Sequence, residues 1–480
     1  MQMKTDLTEK DRTKDGIWGL VDRIRGDKVV WMILTMLILF SIVSIFSSTS
    51  MLATMQPGTS RMDIFIDQLW IVIAGIVIIF ICYKIPYIKL FRVLSQFGFA
   101  LSAILLLCLI LNIRAVEVNG ARRAIDLGFF QLHVYEVVKV AMVLYLAWAI
   151  HAYKSGTFVI TKKLASSFRR LAFLDTPFWN RMIYIFAPIL IVCLGIMAGS
   201  VSSTLFIGGI MFITIIVGGI RIKDMLGPAL ICIAAGIAGV GLYFLTDGKV
   251  FPRVGTAVQR IFLHEEKKNL MDYTPGSQEF MKALDPIRQP ESAKIAIHEG
   301  GLLGKGPGNS TQKYTVSLIF SDYMYSFIVE EYGFWGGVLI IMLYISLLAR
   351  GTIIVKYCDN DYAKTAVAGL TLLITGQALM HIFINLDMGL LTGQTLPMIS
   401  HGKSSFICFC VAFGVILSIS KMAKDKIQNE TDNATSLSPE TDDGADVDSR
   451  LSDLDAFESG EFEETDEFRE SMGNKETDRQ

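Results

Sequence analysis

The sequence predicts an all-α polytopic membrane protein with about ten transmembrane helices, and three observations support this fold class. Hydrophobic residues make up 52% of the 480 residues. The apolar residues come in blocks of about twenty, which is the length that a helix needs to cross the hydrocarbon layer of a bilayer. Lysine and arginine collect in alternate connections between these blocks, as they do in membrane proteins whose positive loops stay in the cytoplasm.

The apolar blocks define the predicted spans. They lie at residues 29–48, 65–83, 95–112, 135–152, 183–200, 204–220, 226–245, 324–349, 364–386 and 404–420. The first block follows a basic run, RIRGDK, but no small-residue cleavage site comes after it. We therefore interpret this block as a retained first span rather than a removed signal peptide.

The basic clusters predict how the spans are oriented. They occupy residues 1–28, 84–92, 154–181, 221–223, 350–356 and 421–426. Because these clusters recur at every second connection, both termini are predicted to be cytoplasmic. The outside connections then include residues 112–133, residues 387–403 and a large extracytoplasmic loop, residues 246–323, between spans 7 and 8.

The charge distribution divides the chain into three parts. Residues 430–480 carry 18 acidic and 4 basic residues, whereas the rest of the chain carries 40 basic and 28 acidic residues. The tail has few aromatic residues and cannot bury enough apolar surface to fold, so it is predicted to be disordered. We therefore predict a basic cytoplasmic N-terminus at residues 1–28, a membrane domain at residues 29–420 and an acidic cytoplasmic tail at residues 421–480.

The sequence shows no convincing cofactor motif. Its seven cysteines fall in or beside apolar blocks, without the spacing of a disulfide framework or a zinc site. The segment Gly402-Lys403-Ser404 resembles the end of a Walker A loop, but Pro397 stands where that motif needs its first glycine. We expect the glycines of residues 304–308 to allow the close approach of a bulky ligand or of a neighbouring backbone instead.

Charged residues at the predicted outer end are the candidates for function. Arg114, Arg122 and Arg123 lie outside against the charge rule, which suggests an anionic ligand there or, alternatively, contact with lipid headgroups. Glu136 and Lys139 stand three residues apart at the start of span 4, so they share one helix face and can pair. Ionisable groups that enter a span are functional candidates, although both side chains could instead reach out to the headgroups.

Residues 289–337 combine these features most densely. Asp322 lies just before span 8, and Glu330 and Glu331 follow in the first turns of that span. A carboxylate at this position lies at the membrane–water boundary, at the depth of a lipid headgroup. The alternative role of Asp322 is to cap the helix. The two glutamates are adjacent and point in different directions, so at least one of them needs a partner or water.

Five segments in this order resemble the SEDS family, the shape, elongation, division and sporulation polymerases typified by RodA and FtsW. They are NGARRAI at residues 119–125, the Glu136 and Lys139 pair, GGLLGKGPGNSTQK at 300–313, SDYMYSFIVEEYGFWG at 321–336 and TLPMISHGKSS at 395–405. The similarity covers roughly residues 29–420. It implies a ten-span protein of the bacterial cytoplasmic membrane. It also implies a peptidoglycan glycosyltransferase that polymerises lipid II into glycan strands at the outer face, for cell division or elongation.

The resemblance also implies roles for individual residues. Asp322 matches the aspartate of the family's Thr-Asp-Phe segment and is the expected catalytic base. The expected cations at the leaving diphosphate are Arg122, Arg123 and Lys139. The expected substrate-binding residues are Asn119, Arg122, Arg123, Glu136, Lys139, Gln289, Lys305, Ser321, Glu330, Ser400 and Ser404.

The resemblance further implies the partners of the chain. They are a class B penicillin-binding transpeptidase, lipid II and membrane lipids, and no nucleic acid is expected. A divalent cation could share the neutralisation of the diphosphate, although the sequence shows no ligand cluster for a metal. The NGARR segment and the long predicted cytoplasmic tail favour an FtsW-like role over a RodA-like one.

The chain departs from the family pattern at three places. Residues 317–320 read Ser-Leu-Ile-Phe instead of Pro-Glu-Ala-His, and residues 200–204 read Ser-Val-Ser-Ser-Thr instead of Pro-Asp-x-Gly-Thr. Residues 400–404 read Ser-His-Gly-Lys-Ser instead of Ser-Tyr-Gly-Gly-Ser. The catalytic aspartate is therefore kept, while two acidic residues of the family pattern are replaced.

Two other functions are consistent with parts of the sequence. A lipid-linked precursor flippase should show two halves related by an internal repeat, with charges near the bilayer midplane. We see no clear repeat, and the charges cluster at the predicted outer end. A non-catalytic scaffold that only binds a transpeptidase is the third hypothesis, because some family motifs are altered.

Overall fold

The structure, a computed structural model, describes residues 25–49, 60–118, 121–128, 130–167, 173–246, 255, 278–316, 318–388 and 393–437. The helices are α1 Lys28–Ser48, α2 Arg61–Lys84, α3 Ile88–Ile110, α4 Val134–Ser155, α5 Val159–Ser167, α6 Pro177–Met197, α7 Val201–Val217, α8 Ile222–Leu245, α9 Gln278–Gly300, α10 Met324–Lys356, α11 Asp361–Asn385 and α12 Lys403–Leu437. Three strands, β1 Ala115–Val118, β2 Ala121–Asp126 and β3 Gln131–His133, lie between α3 and α4.

Among the residues that the structure describes, nine helices are long and apolar enough to cross a membrane. A further apolar helix, α7, has only 17 residues. This helix is short because Ser200 caps its start, accepting from the Ser203 amide at 3.3 Å, and the Gly218-Gly219 pair ends it. These helices coincide with the ten predicted blocks, so the predicted multi-pass helical fold is confirmed.

Two connections contain secondary structure that the sequence analysis did not anticipate. The three strands form an antiparallel sheet in the order β1-β2-β3, so the fold is not purely helical. The predicted outer loop at residues 246–323 contains α9, which packs against α10. The strands are short and α9 is amphipathic, so the stability of both elements depends on packing against the membrane helices. The length of an apolar block therefore does not reveal them.

The structure groups the connections at two ends of the helix bundle. At one end, Asp27 pairs with Arg350 of α10, and its amide donates to Ser420 Oγ of α12 at 2.7 Å. At the other end, Ser47 at the end of α1 donates to Glu331, and Ser404 of α12 donates to the Gln131 carbonyl of β3. This grouping agrees with the predicted alternation of inside and outside connections.

The side of the membrane that each end faces stays a prediction. Residues 1–24 and 438–480 lie outside the described residues, and with them most of the predicted N-terminal segment and tail. Helix α12 runs to Leu437, beyond the predicted end of span 10.

Helix α10 is interrupted at Gly333, whose φ of 72° and ψ of −171° are not helical. The glycine turn of residues 300–308 lies in this interruption. The amides of Lys305 and Gly306 donate to the carbonyls of Glu330 and Glu331 at 2.9 and 3.0 Å. A Cβ atom added to Gly304 would lie 2.3 Å from the Glu331 carbonyl oxygen. The glycines therefore allow a close approach of two backbones, which is one of the two alternatives that the sequence suggested.

We predict that Gly304→Ala destabilises the protein more than Gly308→Ala. The two glycines have nearly the same φ, 80° and 83°, so both substitutions introduce a strain of about 1–2 kcal/mol. Only Gly304 has backbone atoms within 3 Å of an added Cβ, since nothing lies within 4 Å at Gly308. Gly304→Ala should therefore lower the free energy of unfolding by about 1–3 kcal/mol more. Unfolding titrations in detergent measure both variants, and equal losses would contradict the close packing.

Candidate functional site

The carboxylate of Asp322 lies in the turn that leads into α10, facing β2 and the connection between α11 and α12. A Cβ atom placed on Gly393 would lie 3.3 Å from Asp322 Oδ2 and 3.7 Å from Arg123 Nη1. The carboxylate and the guanidinium group thus flank the same glycine. Burial raises the pKa of Asp322 to about 6, although a hydrogen bond from Ser321 and the charge of Arg123 act in the opposite direction.

The backbone of this turn is held by three consecutive carbonyl groups. The carbonyl of Phe320 accepts from the His401 amide at 2.8 Å. The next carbonyl, of Ser321, accepts from Ser400 Oγ at 2.8 Å, and that of Asp322 accepts from Asn385 Nδ2 at 3.1 Å. All three donors come from the end of α11 or from the connection that precedes α12. The position of the carboxylate therefore depends on residues about sixty to eighty positions later in the chain.

Glu136 and Lys139 form the ion pair that their spacing predicts, with Lys139 Nζ 2.7 Å from Glu136 Oε1. The Lys139 side chain is only 1% exposed, so it does not reach out to headgroups. Its ammonium group also donates to Gln377 Oε1 at 2.7 Å and to Gln394 Oε1 at 2.8 Å. These three acceptors satisfy the three N–H groups of the ammonium.

The partners of Lys139 connect the ion pair to neighbouring helices. Gln394 Nε2 donates to Ser203 Oγ of α7 at 3.0 Å. On α12, Ser405 Oγ donates to Glu136 Oε2 at 3.2 Å. Gln377 Nε2 donates to the Thr395 carbonyl at 2.9 Å. A single polar network therefore joins α4, α7, α11 and α12 beneath the Asp322 turn.

Glu330 and Glu331 hold the glycine turn against α10. The side chain of Glu330 is fully buried and accepts from Lys305 Nζ at 2.9 Å, Ser310 Oγ at 2.5 Å and the Thr311 amide at 2.8 Å. Glu331 Oε1 accepts from Ser47 Oγ at 2.5 Å and from the Gly308 amide at 3.0 Å. Both glutamates therefore have partners, and those of Glu330 all belong to the loop that precedes the Asp322 turn.

The remaining predicted site residues are placed as follows. The Arg122 side chain is 48% exposed and lies 3.9 Å from Glu117, whereas Arg123 Nη2 donates to the Gly199 carbonyl at 3.4 Å. Ser404 Oγ donates to the Gln131 carbonyl at 2.8 Å and fixes β3 against α12. Gln289 is half-buried in α9, and Asn119 lies outside the described residues.

A comparison with protein-family models identifies the chain. Residues 27–425 match the model of the FtsW/RodA/SpoVE family, described as cell cycle proteins. The chain belongs to this family. The SEDS resemblance of the sequence motifs is thereby confirmed.

Individual family members are similar over nearly their whole length. The chain is 26% identical over 396 residues to the "Probable peptidoglycan glycosyltransferase FtsW" of Coxiella burnetii, which covers 81% of this chain and 95% of that protein. It is 25% identical over 418 residues to the "Peptidoglycan glycosyltransferase MrdB" of Escherichia coli K12, covering 83% of this chain and 94% of that protein.

A solved structure shares the fold of this family member. It was reported as "Structural coordination of polymerization and crosslinking by a peptidoglycan synthase complex". The match has a TM-score of 0.55 and 20% identity, and it covers 83% of this chain and 98% of the other chain.

The sequence analysis of this FtsW/RodA/SpoVE family member missed several residues of the site. They are Gln377, His381, Asn385, Gly393 and Gln394. Three of them could have been found, because Gln377, His381 and Asn385 recur every four residues and therefore lie on one face of an otherwise apolar span. Gly393 carries no such signal, since its contact with Asp322 and Arg123 exists only in the folded chain.

We predict that Lys139→Met destabilises this family member far more than Lys154→Met. Both lysines lie on α4 and form ion pairs of similar length, 2.7 Å to Glu136 and 2.8 Å to Asp361. Breaking the buried pair leaves Glu136 without its cation and should lower the free energy of unfolding by about 3–5 kcal/mol. The Lys154 pair is about one-third exposed, so its loss should change stability by about 1 kcal/mol or less.

The measurement is an unfolding titration of both variants in the same detergent. Similar losses for the two variants would mean that the Lys139 network does not stabilise the fold.

Proposed function

We propose that this chain is a peptidoglycan glycosyltransferase that polymerises lipid II with Asp322 as the general base. The observation that carries the proposal is the half-buried carboxylate of Asp322, which faces Arg123 across Gly393 at the end of the helix bundle. A base with a pKa of about 6 is ionised at neutral pH and can accept a proton, as general base catalysis requires. The names of the relatives from Coxiella burnetii and Escherichia coli support the same reaction class.

The proposed reaction joins two lipid-linked sugars. The 4-hydroxyl oxygen of the acceptor sugar attacks the anomeric carbon of the donor, and Asp322 takes the hydroxyl proton. The bond between the anomeric carbon and the diphosphate breaks, and undecaprenyl diphosphate leaves with the electron pair. This leaving group is stable as an anion, so the site needs cations rather than a second carboxylic acid.

Arg123 is the cation best placed to stabilise the departing diphosphate. It flanks Gly393 together with Asp322, and Arg122 precedes it on the same strand with a half-exposed side chain. Lys139 has a different role in this proposal, because its ammonium already donates to three protein side chains. It supports the connection that carries Gly393 and Gln394. Within the described residues, no three histidine, cysteine or carboxylate side chains cluster as a metal site.

The setting of the proposed reaction is the outer face of the bacterial cytoplasmic membrane, with lipid II anchored in the bilayer. A transpeptidase partner is supported by the structural neighbour, which was reported as a synthase complex for polymerization and crosslinking. Relatives named FtsW and MrdB both match, so the FtsW-like assignment stays a prediction.

We predict that Asp322→Asn lowers the rate of lipid II polymerisation by on the order of 10²–10⁴-fold, because the amide cannot take the hydroxyl proton. The assay uses the purified full chain with lipid II and a class B penicillin-binding transpeptidase in vesicles. Asp126→Asn is the matched control, since Asp126 is an exposed carboxylate on β2 whose side chain accepts from the Gly128 amide at 2.8 Å. Its rate should equal that of the unmodified protein.

The same vesicles separate the alternative functions. A flippase would move lipid II across the bilayer without polymerising it, and a scaffold would leave polymerisation to another enzyme. Normal polymerisation by a folded Asp322→Asn variant would remove Asp322 from the mechanism.

We predict that the polymerisation rate falls as the pH is lowered through about 6. Asp322 must be ionised to act as a base, so each unit below its pKa should lower the rate about tenfold. Arg123 faces the carboxylate and lowers its pKa, so Arg123→Gln should move this acid limb to higher pH. A rate that stays constant between pH 7 and 5 would contradict the assignment.

A further inference from the structure

Helix α11 carries a polar face in the interior of the protein. Gln377, His381 and Asn385 are spaced by four residues, and each is at most 1% exposed. Buried polar side chains in a membrane helix are costly unless they have partners. Gln377 binds the Lys139 network, whereas His381 and Asn385 face the start of α10. The two latter residues therefore connect the polar network to the helix that follows Asp322.

Asn385 and His381 cap α10 from another helix. The first residues of α10 receive no capping hydrogen bond from the side chain of Tyr323, which stands at the N-cap position. Instead, Asn385 Oδ1 accepts from the Ser326 amide at 3.0 Å, and His381 Nε2 accepts from the Tyr325 amide at 3.4 Å. Amide groups at a helix start have no partner within the helix, so these acceptors fix where α10 begins.

The amide of Asn385 also holds the residue that carries the carboxylate. Its Nδ2 donates to the Asp322 carbonyl at 3.1 Å and to the His381 carbonyl at 2.8 Å. Its Oδ1 accepts from both the amide and the hydroxyl of Ser326. The Asn385 side chain thus joins the Asp322 turn to the first turn of α10. Two carbonyl groups accept from its nitrogen and two groups of Ser326 donate to its oxygen, so the orientation of the amide is fixed.

We infer that Asn385 is a positioning residue for Asp322. This inference rests on the proposed function, in which the Asp322 carboxylate takes a proton from the substrate. Without the Asn385 amide, the Asp322 carbonyl loses a donor and the Ser326 amide loses its acceptor, so the turn is free to shift relative to α10. A shift of about 1 Å in a reacting group lowers a reaction rate by about 10²-fold.

The experiment measures lipid II polymerisation at varied substrate concentration with the full chain and its transpeptidase. Asn385→Ala and Asn385→Leu both remove the amide, but only the alanine variant leaves a cavity. Both should lower kcat by about 10–100-fold while KM changes by less than about twofold, because the amide touches the Asp322 backbone rather than the substrate. Asn360→Ala is the control on the same helix, where Asn360 caps the opposite end by accepting from the Tyr362 amide at 2.9 Å. It should keep the kcat of the unmodified protein.

A third variant, Asn385→Asp, keeps the shape of the side chain and provides a second readout. Its carboxylate places negative charge beside the Asp322 turn, which raises the pKa of Asp322 and should move the acid limb of the rate to higher pH. An acid limb that stays where the unmodified protein has it would mean that position 385 does not face the Asp322 turn. If the alanine and leucine variants fail to fold, Asn385→Asp tests the same contact, because it keeps an acceptor for the Ser326 amide but removes the donor to the Asp322 carbonyl.

The outcomes separate this inference from the proposed function. If Asp322→Asn is inactive while folded Asn385→Ala and Asn385→Leu keep a normal kcat, only the positioning role is wrong. An equal loss of kcat in Asn360→Ala would also overturn it, because α11 would then act through its stability alone. If Asp322→Asn polymerises normally, the proposed base itself is wrong.

Discussion

The site depends on the burial of one ammonium group inside a helix bundle. Removing a charged group from water costs several kcal/mol, which only close acceptors with good geometry can offset. Lys139 has three such acceptors, and they come from α4, α11 and the connection before α12. The hydrogen bond from Lys139 to Gln394 therefore holds Gln394, and with it the neighbouring Gly393, in place. Because Asp322 and Arg123 flank Gly393, the geometry of the proposed reaction follows from the neutralisation of Lys139.

A second constraint acts on the chain just before and after Asp322. The loop of residues 300–316 leaves α9 and returns to α10, where Gly304 contacts the interruption at Gly333. The Asp322 turn lies between these contacts in the sequence, so its ends cannot move independently of α10. Glu330 strengthens the closure through its bonds to Lys305, Ser310 and the Thr311 amide. The carboxylate is therefore placed by a loop closed on one side and by the end of α11 on the other.

Sequence reasoning predicted the parts of this architecture that depend on local rules. Hydrophobic length located the ten apolar helices found among the described residues, and spacing along a helix predicted the pair of Glu136 and Lys139. The three-stranded sheet and helix α9 were missed because their stability depends on packing against other elements. The contact of Arg123 and Asp322 with Gly393 joins residues far apart in the chain, so no local pattern could reveal it. The polar face of α11 is a four-residue repeat in the sequence, but it holds no carboxylate, lysine or arginine, so it was not predicted as part of the site.

The structure also shows which contacts are made at residues 400–404, where the chain departs from the SEDS pattern. Ser400 and Ser404 keep the family residue. The Ser400 hydroxyl donates to the Ser321 carbonyl, and the Ser404 hydroxyl donates to the Gln131 carbonyl. His401 replaces a tyrosine, yet it holds the Asp322 turn through its backbone amide, which any residue except proline supplies. Lys403 replaces a glycine at a partly exposed position, where its ammonium lies 3.4 Å from Asp67 of α2. The histidine thus keeps an aromatic ring, which contacts Phe320 edge-on at 5.8 Å between ring centroids, and the two serine side chains are kept.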